Sequence, residues 1–444
     1  MRGDSALFTR VFGVGEPSGR PKEVELTSST KRLTQHASEI YPIVLIVGLA
    51  ASQYAQYVWQ YFTPALPTIR SHAPGVWGAW VVVMLAGIVW LFAPFRIPRN
   101  SWLNAFLVVS LIGWTARFAI ARGHGDLLDL TIWLYPIILL MLWAKFPAAT
   151  QWRTILLALG WTGSILLVWT RASELLGWIP MAPVSADLVR FEIGEYWLPL
   201  SGTLGPEGRW PGPLGGTAFT GALGALLLVL AFALRTKSSW VFGTVGAVVL
   251  LLTSSRGSIA GAGAGVAIAI LFSNWRLLER FGFLARAALA GAGGLLVIAV
   301  VVRTNLTLTG RTNFWFDFLD LWLQSPVIGV GQTGYYEGTD ATAVSGTAHS
   351  FYIDELARNG LIGLTLLAIG FVIAAVLAIR TAKVRAPGPL ALLTTIAVLG
   401  IVNTPFGWLS PSLMWLFYVL PVLWAGSILS AHDDPRPTPS DTPN

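Results

Sequence analysis

The chain alternates long apolar stretches with short polar ones, and the period of that alternation is the length of a membrane span. Runs of roughly 17 to 25 apolar residues cross a bilayer as helices, and about twelve such runs are present. They centre near residues 41–62, 75–95, 102–121, 127–147, 154–171, 213–234, 239–254, 257–274, 287–303, 360–379, 389–406 and 411–430. The predicted fold is therefore an all-α polytopic membrane protein of about 12 transmembrane helices. Connections are short except for two: about Ala172 to Pro211 (172–211), and Arg303 to about Asn359 (303–359). Long ordered loops are uncommon without a task, so these two are the expected place for function.

Within the second loop, Arg311 to Leu323 changes period. Phe314, Phe318, Leu321 and Trp322 recur at helical spacing while Asp317 and Asp320 fall off that stripe, which predicts a short amphipathic helix lying on the membrane. Trp178, Trp197 and Trp210 in the first loop and Trp315 and Trp322 in the second suit the same interface, where an indole is half wet.

Composition agrees with this pattern. Of 444 residues, 54% are hydrophobic and 11% charged, and mean hydropathy is +0.65, too apolar for a soluble chain and too long for one or two anchors. No cysteine is present, which excludes disulfides, thiolate metal sites and cysteine nucleophiles. Residues 1–39 are polar, carry Arg2, Arg10, Arg20, Lys22, Lys31 and Arg32, and read as a disordered cytoplasmic tail without a signal peptide. The transmembrane domain is expected over 40–430 and a second cytoplasmic tail over 431–444. Placing the N-terminus inside puts most of the 29 Lys and Arg on the inner side, among them Arg96, Arg99, Lys145, Arg235, Lys237, Arg380 and Lys383. The net charge of +7 then reflects topology, with no nucleic acid as partner.

Three arginines run against that topology. Arg209 precedes the sixth span, Arg256 sits between the seventh and eighth, and Arg311 opens the amphipathic segment. A single interfacial arginine can simply snorkel to headgroups. Three at the outer edge suit an anionic ligand, because each guanidinium grips a phosphate with two parallel hydrogen bonds. His349 is the lone histidine of the second loop and reads either as a structural residue at a helix start or as a base for a sugar hydroxyl. Asp354, Glu355 and Arg358 follow at spacings that fit a local salt bridge. Arg117 can pair with Asp126 or Asp129, or snorkel outward. His72 and His124 lie in separate short loops, so no metal site is expected. Gly329 to Gly334 reads as a turn, and Gly261, Gly263 and Gly265 as places where helices approach closely.

In order along the chain, these landmarks resemble one family. Arg209 with Gly212 and Gly216, Ser255-Arg256, Gly310-Arg311 with Trp315, the run Pro326 to Gly331, and His349-Ser350 with Glu355 and Asn359-Gly360-Leu361-Ile362-Gly363 are similar to the O-antigen ligase and O-antigen polymerase superfamily. The resemblance covers roughly residues 200–380. Ser350 stands where members often have asparagine, and Gly215-Gly216-Thr217-Ala218 replaces their Asn-Pro-Asn. It implies a C-type glycosyltransferase-like fold in the bacterial inner membrane, multi-pass, with both termini cytoplasmic and the site facing outward. It also implies transfer of a glycan from a polyprenyl-diphosphate carrier, such as undecaprenyl diphosphate, to a glycan or lipid-glycan acceptor, without metal or other cofactor. Arg209, Arg256 and Arg311 would bind the diphosphate, and His349 with Arg311 would be catalytic. The competing class is a transporter of an anion such as bicarbonate or of the lipid-linked glycan, which would place ionisable groups near the bilayer midplane.

Overall fold

A computed structural model describes residues 33–45, 47–49, 52, 73–124, 133–178, 210, 212, 217–253, 255–273, 280–283, 285–286, 288, 291, 311–331, 333–335, 348–402 and 413–432. Among them the chain is helical, with one isolated bridge between Arg96 and Lys145 and no named strand. After a helical segment over 33–45 come α1 (Ala73–Phe92), α2 (Ser101–Gly123), α3 (Leu134–Ala144), α4 (Ala149–Leu175), α5 (Thr217–Leu234), α6 (Lys237–Thr253) and α7 (Arg256–Leu271). Then follow α8 (Arg311–Leu323), α9 (Phe351–Lys383), α10 (Gly388–Val402) and α11 (Leu413–His432).

Three of these helices, α2, α4 and α9, are long and apolar enough to cross a membrane, and shorter apolar helices surround them. The expectation of an all-helical membrane protein therefore holds for the described residues. The expected span at 287–303 falls largely outside them, as do the first loop from 179 to 209 and the tails 1–32 and 433–444.

Packing follows small residues. Gly261 of α7 meets Leu399 and the Thr395 carbonyl of α10, and Gly265 one turn later meets the Ala391 carbonyl, so the two helices run antiparallel in close approach. Gly246 of α6 lies against the Gly224 carbonyl of α5. Larger side chains fill the remaining space, among them Trp152, Phe106 and Phe242, each fully buried.

Basic residues collect at one end of this bundle. The Arg96 backbone joins the ends of α1 and α3 by bonding the Ala144 carbonyl at 2.9 Å and the Phe146 N–H at 2.8 Å. Arg380, at the end of α9, lies over Trp102 at the start of α2, and Arg235 donates to the Ala269 carbonyl near the end of α7. The opposite end holds the starts of α7 and α9, and there the candidate residues gather.

Inside α9, Gly360 has φ 62° and ψ −161°, so the helix breaks nine residues from its start. The segment Pro326–Val330 fills that break. Leu361 N–H donates to the Pro326 carbonyl (2.9 Å), Ile362 N–H to the Val327 carbonyl (3.1 Å) and Val330 N–H to the Ala357 carbonyl (2.9 Å). A broken helix leaves backbone groups that apolar surroundings cannot satisfy, and here the loop satisfies them. Gly329 takes φ 70° with its backbone against Arg358, a conformation and a spacing that a side chain would forbid. The turn expected from Gly329 to Gly334 lies earlier, at 326–328, with Gly331 and residues 333–335 helical, and the partner of that turn is the Gly360 break.

Candidate functional site at the loop end of the bundle

Each candidate residue that the structure describes opens a helix or lies just before one. Ser255 is the N-cap of α7 with φ −80° and ψ 101°. Its hydroxyl shares a hydrogen bond of 2.8 Å with Ser258, and its carbonyl accepts the Ile259 N–H. Arg256 is thus the first helical residue, and it is exposed. The first N–H groups of a helix and its dipole favour negative charge, and a guanidinium there adds a full positive charge to them.

A second anchor meets this corner. Trp210 is buried, its backbone N–H donates to the Leu252 carbonyl at 3.0 Å, and its indole Nε1 donates to Glu174 Oε2 at 2.7 Å. Glu174, buried at the end of α4, also accepts from Arg171. One carboxylate thereby ties the last turn of α4 to the residue after Arg209 and, through it, to the end of α6. Arg209 itself lies outside the described residues. An acid at the end of an apolar helix was the available signal for Glu174, and the sequence reading passed over it.

Arg311 opens α8, whose bounds and polarity are those predicted: Phe318 and Leu321 are buried, Asp317 and Asp320 exposed. The Arg311 side chain lies outside the described residues. One turn further on, Trp315 Nε1 donates to the Ala348 carbonyl at 3.0 Å, and Phe318 stacks on Tyr335 with ring centroids 4.9 Å apart. The start of α8 is in this way fastened to the segment that bears His349.

His349 has φ 52°, the left-handed region that side chains with a Cβ avoid. Its neighbours on both sides are held. The Ala348 N–H donates to Asp354 Oδ1 at 2.9 Å, and Ser350 is the N-cap of α9, with its carbonyl accepting the Asp354 N–H and its hydroxyl donating to the Gly400 carbonyl. Tyr335 donates its hydroxyl to the same Asp354 oxygen. Burial above all pushes that phenol above its usual range, so it remains a protonated donor. Arg358 stacks its guanidinium 3.9 Å from the Tyr335 ring centroid. The acidic pair at the start of α9 thus divides its work: Asp354 holds the loop, and Glu355 pairs with Arg117. The expected partners Asp126 and Asp129 lie outside the described residues.

The structure brings these positions together through α10. Tyr352 donates to the Ala397 carbonyl and Ser350 to that of Gly400, while Gly261, just inside α7, packs on Leu399. The start of α7 at Arg256 and the N-cap of α9 after His349 therefore meet the same end of α10, and Arg311 begins α8 one turn from the Trp315 bond to Ala348. Among the described residues no group of three or more His, Asp or Glu has the arrangement of a metal site.

Two comparisons bear on this end of the bundle. A family model described as O-antigen ligase matches residues 241–368, from within α6 to within α9, a stretch that contains Arg256, Arg311, His349 and Glu355 and leaves Arg209 outside. The exopolysaccharide production protein ExoQ of Rhizobium meliloti (strain 1021) is 30% identical over 183 residues, covering 38% of this chain and 39% of the relative. The chain thus spans well under two thirds of the length of the curated relative it matches. Over residues 241–368 the chain is similar to the O-antigen ligase family, and over a 183-residue stretch to an exopolysaccharide production protein.

Proposed function

We propose that the protein is a glycosyltransferase of the bacterial inner membrane that moves a glycan from a polyprenyl-diphosphate carrier to an acceptor hydroxyl on the outer face. The observation that carries this reading is the convergence, on one end of an apolar bundle, of Arg256 and Arg311, the first residues of α7 and α8, and of His349, two residues before α9.

In the reaction, His349 takes the proton of the acceptor hydroxyl as its oxygen attacks the anomeric carbon from the face opposite the carrier. The bond from that carbon to the carrier oxygen breaks, and its electron pair leaves with the diphosphate. Negative charge grows on the leaving group, and the guanidinium groups of Arg209, Arg256 and Arg311 offset it. Such charge acts more strongly at a partly dry membrane boundary than in water. An exposed, largely apolar face of α9, formed by Leu364, Thr365, Ala368, Ile369, Val372 and Ile373, suits the isoprenoid tail of the donor. It begins one turn beyond the Gly360 break, on the helix that His349 precedes.

Polymerisation is favoured over ligation because the matched relative is named for exopolysaccharide production. The glycans of a strain lacking the protein test this choice. Single repeat units stranded on the carrier are expected for a lost polymerase, whereas long chains stranded on the carrier would indicate a ligase.

A further inference from the structure

His349 occupies a backbone conformation that costs an ordinary L residue roughly 1–2 kcal/mol, so the surrounding structure must impose it. The residue before it is held from both sides: the Ala348 carbonyl accepts from Trp315 Nε1 at 3.0 Å, and the Ala348 N–H donates to Asp354 Oδ1 at 2.9 Å. The residue after it is fixed by the first backbone bond of α9, from Asp354 N–H to the Ser350 carbonyl. Asp354 therefore acts twice across His349, with its side chain on one neighbour and its N–H on the other. Its carboxylate is buried and is oriented by the Tyr335 hydroxyl.

We propose that Asp354 is a positioning residue, whose carboxylate closes the 348–354 turn and so fixes the backbone from which the His349 imidazole reaches the acceptor. This rests on the assignment of His349 as the base in the proposed function. No proton passes through Asp354. Its contribution is geometric, and an error of about 1 Å in the position of a reacting group costs on the order of 100-fold in rate.

The full-length protein in vesicles, with a polyprenyl-diphosphate-linked glycan as donor, allows the test, comparing Asp354→Ala, Asp354→Asn, His349→Ala and the His349→Ala/Asp354→Ala double variant. Asp354→Ala is expected to lower kcat about 100-fold with little change in donor KM. Asp354→Asn should recover most of that loss, because its Oδ1 still accepts the Ala348 N–H. The double variant should be no slower than His349→Ala, since a residue acting through His349 has nothing left to position. Wild-type kcat in Asp354→Ala beside a strongly slowed His349→Ala overturns the proposal, as does equal loss in the Asn and Ala variants or further slowing of the residual His349→Ala rate by the second substitution. Full activity of His349→Ala itself contradicts the base assignment instead. Should Asp354→Ala fail to fold, Trp315→Phe removes the indole N–H on the other side of Ala348 while keeping an aromatic ring there. A lowered kcat that disappears in a His349→Ala background supports the proposal, and unchanged kcat overturns it.

Discussion

Arg117 and Glu355 are joined across the bundle, with Arg117 Nε donating to Glu355 Oε1 at 2.7 Å and Nη2 reaching the same oxygen at 2.5 Å. Both side chains are nearly fully buried, at 6% and 3% exposure, and Asn359 Nδ2 donates to that oxygen as well. The pair fixes α9 against α2 one helical position after Asp354, so the turn bearing His349 is built on an anchored helix. Removing one partner leaves a buried charge alone, which costs about 3–5 kcal/mol. Glu355→Ala is accordingly expected to lower the thermal unfolding midpoint of the detergent-solubilised protein sharply. Leucine at both positions should recover most of the loss, and a double variant as unstable as the single one would contradict this account.

The Gly360 break admits no side chain. Alanine there would be strained at φ 62° and would meet the Val327 backbone, expelling Pro326–Val330 from its bonds to α9. Gly360→Ala should therefore abolish accumulation of folded protein. Gly263→Ala is the matched control: nothing lies within 4 Å of its added methyl group, and it should accumulate and transfer glycan as the wild type does.

If Arg256 grips a diphosphate with two parallel hydrogen bonds, lysine preserves the charge but not the geometry. Arg256→Lys is expected to retain an intermediate rate and Arg256→Ala to lose roughly 100-fold or more, the scale seen when a preorganised donor to a developing anion is removed. Steady-state kinetics with the lipid-linked donor separate the three proteins. Equal rates in all three would remove Arg256 from the site.

Adding bulk to the exposed face of α9 tests the position of the donor tail. Ala368→Trp should raise KM several-fold for a long-chain donor and leave KM for a short-chain analogue unchanged, because only the long chain reaches that depth. The same change in both would place the tail elsewhere.

Much of this arrangement was legible in the sequence, and the rest was hidden for identifiable reasons. The α8 helix showed itself because Phe318 and Leu321 repeat at a helical period against Asp317 and Asp320, a local signal that tertiary structure did not override. Gly261 and Gly265 marked a close helix approach for a similar reason: small residues at one-turn spacing have few other uses in an apolar helix. The Arg117–Glu355 pair could not be read, since its members are 238 residues apart and Asp126 and Asp129 offered nearer charges. The break at Gly360 was masked because polar residues up to Asn359 and an apolar run from Leu361 read as the edge of a span, and its partner Pro326–Val330 is remote in sequence. Chemistry pointed to His349, but its left-handed backbone depends on Asp354 and Trp315 together, a relation that no spacing rule encodes.

The central claim is that Arg311 and His349 perform glycan transfer at the loop end of the bundle. The most direct measurement is product formation from a polyprenyl-diphosphate-linked glycan by purified protein in sealed vesicles, for the wild type, Arg311→Ala and His349→Ala, each first shown to be inserted and folded. The account predicts glycan product from the wild type and only a small residual rate from either variant. Wild-type product from His349→Ala, or solute uptake by the wild type with no glycan product at all, would contradict it.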